Sequence, residues 1–501
     1  MSLQSSHYKS SHYKVLIAKF SLHSFHYKVL MEDIAKLAGT LPSCVKRMEE
    51  LSFCKLTVLP ESIGQLAALT ALNLSECHAL TGLPESLGQL AALTTLNLSE
   101  CRALTALPES LGQLAALTYL NLSNCHALAG LPESLGQLAA LTTLNLSYCY
   151  ALTGLPESLG QLAALRTMRL SLCCALTALP ESLGQLAALR TMKLWALELT
   201  ALPESLGQLA ALKVLYLRDC RALARLPESL GRLTALKMLD LSWCNALTRL
   251  PESLGQLAAL TTLCLTGCHA LTRLPESLCQ LTALRSLDMS YCEALTQLPE
   301  LLGQLAVLEK LPLSGCRALT KLPESLGQLA ALKVLYLADC HALTRLPESL
   351  CQLTALRWLD ASYCVTLTQL PELLGQLAVL ETLHLTECRA LTELPESLGR
   401  LTALSLLRFS HCHSLKRLPL MFADVLGRDG LHVYGLDMDT IVFPPQHVLQ
   451  RGVADIRAFL HEHLHLLRVL VFILAAKRTP HLPDEVWLMV DLSFARQYRA
   501  R

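Results

Sequence analysis

The sequence lacks most of the features that mark a membrane protein or a nucleic-acid binder. Aromatic residues make up only 5% of the 501 residues and the formal net charge is +1, so overall charge favours neither nucleic acid nor an anionic membrane. No apolar run reaches the roughly 18–20 residues of a spanning helix; the longest, 466–476, contains Arg468. The N-terminus has no apolar core followed by a small-residue cleavage site, which predicts no secretory signal.

Catalytic motifs are also missing. The sequence contains no GxxxxGK[ST] phosphate loop, no GxSxG and no HExxH, which argues against nucleotide-driven switching and against the commonest hydrolase classes. His461, His463 and His465 come nearest to a metal cluster; His461 and His465 would share a helix face at i and i+4, but a third ligand is not evident. We therefore expect a non-enzymatic protein with no cofactor, no metal site and no small-molecule substrate.

What the sequence does contain is a repeated phrase, LPESLGQLAALTTLNLSECRALTA at 83–106. In-register prolines recur every 24 residues from Pro60 to Pro419, except for one interval of 23 between Pro180 and Pro203. A fixed period of this length is typical of stacked-repeat solenoids, in which each unit buries its apolar side against its neighbours. The sequence therefore predicts one continuous solenoid.

Each repeat predicts one strand and one short turn of helix. Residues 95–99 alternate polar and apolar as a strand does, with Leu96 and Leu98 facing inward and the residues between them facing out. Pro84 suits the first position of a helix, whereas Gly88 restricts that helix to one short helical or 3-10 turn. Stacking such units aligns the strands as a parallel sheet.

The chain ends are predicted to differ from the array. Fifteen repeats occupy 59–419. Before them we expect a disordered basic tail at 1–31, which is either a tail or upstream sequence, and a degenerate repeat acting as N-terminal cap at 32–58. After them, 420–501 is predicted to form a mostly helical C-terminal cap, with one last strand near 430–435.

Three irregularities interrupt the array. The unit at 189–202 has lost one residue and its cysteine, and Pro312 lies inside a predicted strand, where it removes a ladder donor. Ala361 replaces an inward leucine, which predicts an underpacked layer. We expect local disturbance at these places without a break in the stack.

Cysteine is abundant, and its placement decides how it is interpreted. Equivalent positions of stacked units lie about 5 Å apart, so such cysteines form a column of small buried groups with weak donor capacity. This predicts a reducing, cytoplasmic setting; a stacked-metal or redox role is the alternative. The column comprises Cys77, Cys101, Cys125, Cys149, Cys173, Cys220, Cys244, Cys268, Cys292, Cys316, Cys340, Cys364, Cys388 and Cys412.

Each in-register proline but the last is followed by a glutamate, and several of the later ones have an arginine or lysine two positions before them, as at Arg225 and Lys321. Exposed charges of opposite sign at this spacing offset one another. We expect a solvated face of ion pairs there.

The pattern LxxLxLxxCxxLxxLPxxLGxL, as in 93–114, resembles the leucine-rich repeat in its plant-type intracellular form. It is similar to the repeat domains of plant disease-resistance receptors and of Ras-group-related scaffolds, without the nucleotide-binding domain. The resemblance implies an α/β solenoid: a horseshoe or arc with a parallel sheet on the concave, partner-facing side, short helical or 3-10 turns on the convex side and a helical C-terminal cap.

Two C-terminal stretches carry weaker resemblances. Residues 442–464 resemble the segment that caps the repeats of Roco-type proteins, which implies that Val448, Ile456 and Leu460 cover the open end of the array. Residues 482–494 are faintly similar to the start of an F-box. The alternative function is therefore a substrate-recruiting subunit of a ubiquitin ligase.

The outward strand positions are nearly uniform in the first four units and varied after them. Aromatic residues and arginine are the types that anchor protein interfaces, and 165–245 carries ten Lys/Arg against six Asp/Glu. We predict a protein-interaction scaffold acting in signalling or in a defence response, with a protein partner on the concave face, no nucleic acid and no membrane; drifted surface residues are the alternative. The candidate partner-binding residues are Arg169, Lys193, Trp195, Tyr216, Arg218, Asp240, Trp243, Asp288, Tyr291, Tyr336, Trp358, Asp360, Tyr363, His384 and Arg408.

Overall fold

The computed structural model describes residues 56–426, 430–434 and 454–463. The chain divides into two compact units between Leu260 and Thr261. Both units repeat the same pair of elements, a three-residue strand and a short 3-10 helix, and the strands follow one another in sequence order. The predicted parallel solenoid is confirmed.

In the first unit, consecutive strands pair in parallel with all three residues in register, as Thr95–Asn97 does with Tyr119–Asn121. The strands β1 to β8 are Ala71–Asn73, Thr95–Asn97, Tyr119–Asn121, Thr143–Asn145, Thr167–Arg169, Thr191–Lys193, Val214–Tyr216 and Met238–Asp240. The 3-10 helices are Glu61–Gln65, Glu85–Gln89, Glu109–Gln113, Glu133–Gln137, Glu157–Gln161, Glu181–Gln185, Glu204–Gln208, Glu228–Arg232 and Glu252–Gln256.

In the second unit the same order continues and ends in a strand beyond the last repeat, as the sequence suggested. The strands β9 to β16 are Thr262–Cys264, Ser286–Asp288, Lys310–Pro312, Val334–Tyr336, Trp358–Asp360, Thr382–His384, Leu406–Arg408 and His432–Tyr434. The 3-10 helices are Glu276–Gln280, Leu302–Gln304, Glu324–Gln328, Glu348–Gln352, Leu374–Gln376 and Glu396–Arg400. An α-helix, α1, spans Phe422–Leu426, and a second, α2, spans 454–463.

The strands are shorter than predicted because the chain turns directly after their third residue. The amide of Cys101 donates to the carbonyl of Leu98 at 3.2 Å, and Glu100 has a φ of 62°. That left-handed conformation ends the strand. Leu98 nevertheless lies fully buried, which is why its side chain keeps the alternating pattern that the sequence shows.

The 3-10 helices form where proline fixes the entry angle. Pro84 has φ −75° and ψ 152°, and the amides of Leu87 and Leu90 donate to the carbonyls three residues before them, each at 3.1 Å. Such i to i+3 bonds define a 3-10 turn. The predicted single turn is confirmed, and Leu87 and Leu90 join the buried leucine ladder.

Neighbouring 3-10 helices are joined by the glutamates that follow the in-register prolines. Glu85 Oε2 accepts the backbone N–H of Ser110 at 3.0 Å, and hydrogen bonds from Ser110 hold the pKa of that carboxyl below its usual range. The same contact recurs between later pairs, for example from Ser182 to Glu157. These glutamates therefore cap the next repeat, a role that the sequence analysis did not anticipate, whereas Lys321 and Glu300 do form an ion pair at 3.0 Å.

A glycine lets these helices pack closely. A Cβ on Gly160 would lie 2.3 Å from the carbonyl oxygen of Ser182 in the next repeat. Two repeats carry a buried cysteine at this position, Cys279 and Cys351. Both times the following repeat has leucine in place of serine, Leu301 or Leu373, and its 3-10 helix shortens to three residues.

As predicted, the three irregularities leave the order of the strands intact, while the underpacking at Ala361 stays a prediction. In the shortened unit, Leu197 takes the place of the cysteine and is fully buried, and the next strand still pairs in register. Pro312 disturbs one side of its strand, since β10 and β11 pair only at Ser286 and Lys310 while β11 and β12 pair at three positions. Ala361 is fully buried.

The C-terminal elements are described only in part. Ring centroids of Phe409 and Phe422 lie 6.2 Å apart, and His461 Nε2 lies 3.9 Å from Asp424 Oδ1, so α2 contacts α1. Ile456 and Leu460 are fully buried. Val448, His465, the F-box-like stretch 482–494 and residues 1–55 lie outside the described residues, and the capping roles at both ends stay predictions.

Candidate functional site

The solvent side of the strands is where the repeats differ most. In β1 to β15 the middle residue is buried, while the first and third residues are usually half-buried or exposed. We call this surface, with the residue before each strand and the turn after it, the strand face. Because the strands are in register, equivalent residues form columns with a spacing of about 4.8 Å.

In the first four repeats the strand residues and the residue before each strand are uncharged, and their threonines and asparagines form hydrogen bonds within the stack. Thr94 Oγ1 donates to the carbonyl of Thr70 at 2.9 Å, and this threonine ladder continues through Thr118 and Thr142. Asn97 Oδ1 accepts the amide of Ser99 at 3.1 Å. These side chains stabilise the stack and leave little capacity for a ligand.

From β5 onward the first unit becomes basic. Arg169 and Lys193 replace the asparagines, Arg169 is exposed, and the Lys193 ammonium lies 5.2 Å from the ring centroid of Tyr216. A second set of cations replaces the threonines directly before the strands. This basic column, which the sequence analysis did not single out, consists of Arg166, Arg190, Lys213 and Lys237, all exposed.

In the second unit the same column is neutralised by ion pairs. Glu309 Oε1 lies 2.8 Å from Arg285 Nη1, and its Oε2 lies 2.7 Å from Lys333 Nζ. Lys333 and Arg285 hold the pKa of Glu309 below its usual range. Arg357 pairs with Glu381 in the same way.

Aromatic side chains form a row across β12, β13 and β14, which we call the aromatic row. Tyr336 and Trp358 lie edge-to-face with centroids 6.2 Å apart, and Trp358 and His384 do the same at 5.6 Å. Edge-to-face geometry is the favourable arrangement for such rings. The structure thus brings three predicted site residues into one contiguous surface, and each is half-buried.

Two ring nitrogens in this row have no hydrogen-bond partner among the described residues. They are Nε1 of Trp358 and Nε2 of His384, both shielded from solvent. His384 Nδ1 lies 3.8 Å from Asp360 Oδ2. Burial lowers the pKa of His384 and Arg408 lowers it further, while Asp360 opposes both effects. The imidazole is therefore held neutral near pH 7.

The predicted aspartates have a structural role. Asp240 Oδ1 accepts from both the amide and the hydroxyl of Ser242, at 2.9 and 2.6 Å, and Asp240 is buried. Asp288 and Asp360 accept the amide of the serine two residues on, as the asparagines do in early repeats. This turn motif is readable from the sequence, because each aspartate precedes a serine by two residues.

The remaining predicted residues flank the strands. Trp195 and Arg218 lie two residues after their strands and are exposed. Trp243, Tyr291 and Tyr363 occupy the left-handed turn position, with φ near 60°. Tyr291 lies over Gly315, where a Cβ would come within 2.6 Å of the ring.

Arg408 caps the end of this surface in the second unit. It is exposed, and its guanidinium lies 5.0 Å from the centroid of the Tyr434 ring. A cation over an aromatic face at this distance is an attractive contact. The last predicted site residue is thus held against β16.

The cysteine column is explained by backbone contacts between repeats. Cys125 Sγ donates to the carbonyl of Leu98 at 3.2 Å, and Cys220 Sγ does so to Leu194 at 3.0 Å. Burial raises the pKa of both thiols to about 12, which disfavours the reactive thiolate. All eighteen cysteines in the part of the chain that the structure describes are free thiols.

The described residues contain no group of three or more His, Cys, Asp or Glu side chains that could hold a metal ion. His463 Nδ1 lies 2.9 Å from the carbonyl of Phe459 within α2. The same ranges contain no helix long and apolar enough to cross a membrane.

The repeats are similar to those of known proteins. The sequence profile of the leucine-rich repeat region matches residues 108–212, 157–246, 211–338 and 320–425. A leucine-rich-repeat protein of Leptospira interrogans is 30% identical, with a match that covers 79% of this chain and 97% of that one at a TM-score of 0.60. The chain belongs to the leucine-rich-repeat family.

Other leucine-rich-repeat structures are more distant. Drosophila Toll, solved in complex with Spätzle, is 18% identical over 76% of this chain and 52% of its own, with a TM-score of 0.55, and shares the fold. The leucine-rich-repeat domain of the type III effector XopL is 26% identical over 54% of this chain and 97% of its own, with a TM-score of 0.42. The search of curated proteins gave no match.

Membership of the leucine-rich-repeat family supports the general class of function. Proteins of this family are in general non-enzymatic modules for protein–protein interaction. Sequence analysis identified the variable positions of the strand face, but it missed the basic column. An alignment of the repeats would reveal the basic column, because the residue before the strand changes from Thr142 to Arg166 and Arg190 in consecutive repeats.

Proposed function

We propose that this chain is a non-enzymatic scaffold that captures a protein partner on its strand face, in signalling or in a defence response. The observation that carries the proposal is the aromatic row of Tyr336, Trp358 and His384 in the second unit. The pathway rests on the resemblance of the repeats to plant disease-resistance receptors.

The aromatic row is poorly explained by stability alone. The repeat needs only small polar residues at these positions, as Thr95 and Asn97 show. Shielding Trp358 Nε1 and His384 Nε2 without partners among the described residues costs free energy, about 1–3 kcal/mol for each unsatisfied group.

The remaining predicted residues divide by their availability. Asp240, Asp288 and Asp360 are engaged in turns, so they position the backbone more than they offer charge. The rings and cations are the candidate anchors, because large planar side chains bury much area at a small cost in conformational entropy. We therefore expect binding to depend on the aromatic residues.

The test is affinity capture from the native cell extract with a variant in which Tyr336, Trp358 and His384 are all alanine. We expect loss of the captured partner with the array still folded. Its matched control is Val307→Ala with Val379→Ala, which trims two apolar side chains outside the strand face and restores the usual repeat residue. Undiminished capture by the aromatic variant would refute a strand-face site.

A further inference from the structure

The basic column is fixed by the backbone of the first unit. The carbonyl of Arg166 accepts the amide of Arg190 at 2.9 Å, and the carbonyl of Arg190 accepts that of Lys213 at 2.8 Å. Lys213 in turn accepts the amide of Lys237 at 2.8 Å. The four Cα atoms are therefore held at strand spacing, about 4.8 Å per step and about 14 Å in all.

No carboxylate neutralises the central members of this column. Within the part of the chain that the structure describes, Arg166, Arg190 and Lys213 form no ion pair, and all three are exposed. Like charges at this spacing repel, so the arrangement adds no stability of its own. In the second unit, by contrast, Glu309 lies between Arg285 and Lys333 at the same column positions.

Four of the six acidic residues in 165–245 are engaged in contacts that do not involve the basic column. Asp219 pairs with Arg221 at 2.7 Å, and Asp240 is buried against Ser242. Glu181 and Glu204 accept backbone amides on the 3-10 side. The basic column and the exposed Arg169 beside it thus form a local positive patch on a chain whose net charge is +1.

We propose that the basic column binds an acidic, extended polypeptide segment that crosses the strands. Alternate side chains of an extended chain lie about 6.8 Å apart on one face, so three alternating carboxylates span about the length of the column. The net charge of the chain is only +1, which favours a polypeptide over an oligonucleotide as the partner. The proposal rests on the proposed protein-binding function and adds the chemistry of one partner segment.

The experiment measures fluorescence anisotropy of a labelled peptide of alternating Glu and Ser with the full chain, at several salt concentrations. The test variant is Arg166→Gln, Arg190→Gln and Lys213→Gln. The matched control is Arg285→Gln, Lys333→Gln and Arg357→Gln, which removes the same number of cations from the ion-paired part of the column. We expect about tenfold weaker association for the test variant, little change for the control, and a strong salt dependence for the native chain.

Several outcomes would overturn the proposal. They are no binding of the acidic peptide by the native chain, equal losses in both variants, equal binding of a control peptide in which Gln replaces each Glu, and tighter binding of a single-stranded oligonucleotide of the same charge. Thermal melting of both variants controls for folding. If the test variant still binds the peptide while the aromatic variant loses its captured protein, the acidic-segment proposal fails and the proposed function stands.

Discussion

The exchange of glycine for cysteine between stacked 3-10 helices makes a quantitative prediction about packing. In Gly160→Cys the new Cβ would lie 2.3 Å from the Ser182 carbonyl oxygen, at least 1 Å inside an ordinary van der Waals contact of 3.4 Å or more. Overpacking of this kind costs about 1–3 kcal/mol. The chain tolerates cysteine at this position twice, at Cys279 and Cys351. Each time the next repeat has leucine in place of serine and a shortened 3-10 helix. We therefore expect Ser182→Leu to offset much of the loss.

The assay is a double-mutant cycle of Gly160→Cys, Ser182→Leu and their combination, measured by urea unfolding. Because each repeat contacts only its neighbours, native-state hydrogen exchange at Leu183, whose amide donates to Pro180 at 3.2 Å, reports the local effect. We expect the pair to couple by about 1 kcal/mol or more. A single Gly160→Cys that leaves stability unchanged, or a strictly additive cycle, would refute the steric argument.

Three further predictions follow from burial. In the native chain with Cys44 and Cys54 replaced by serine, maleimide should label Cys174, which is exposed, and Cys264, which is half-buried, long before the column; rapid labelling of Cys125 would contradict its raised pKa. Because the folded pKa of His384 is lowered, the unfolded chain binds its proton more readily, so stability is complete above about pH 6.5 and falls as pH drops through that value. A His384→Asn variant should lose less stability between pH 7.5 and 5, and an unchanged pH profile would argue against this role. Ala361→Leu should raise the free energy of unfolding by about 2 kcal/mol, since Leu337 and Leu385 occupy equivalent buried positions; a lower value would mean that neighbouring side chains already fill the space.

Much of the fold was predictable because the period sets strand pairing. Once the unit length is known, Thr95 must pair with Tyr119, and the leucines between polar residues must face inward. Strand length was overestimated because Leu98 remains buried after the chain has left the sheet. Periodicity reports which side chains are buried, whereas the hydrogen bond from Cys101 to Leu98 sets where the strand ends.

The site was less predictable because its properties depend on pairs of repeats. The sequence identifies Tyr336, Trp358 and His384 as outward residues, but their edge-to-face contacts run diagonally across strands and depend on rotamers. Likewise, an arginine before a strand does not show by itself whether its charge is paired. Arg190 lies between two cations, whereas Arg285 lies beside Glu309. Charge compensation is thus a property of neighbouring repeats.

The same dependence on neighbours explains how one repeated frame can carry specificity without losing stability. The buried leucines, the cysteine thiols and the capping glutamates each contact the next repeat through the same atoms along most of the array. The strand face takes no part in those contacts. Its own threonine and asparagine hydrogen bonds are lost where these residues are replaced. Thr142 and Arg166 occupy equivalent positions in consecutive repeats. Having arginine in place of threonine removes one side-chain hydrogen bond, worth about 0.5–1.5 kcal/mol, while the leucine ladder beneath it is untouched. Surface chemistry can vary repeat by repeat at that modest cost, and it does so where the basic column and the aromatic row lie.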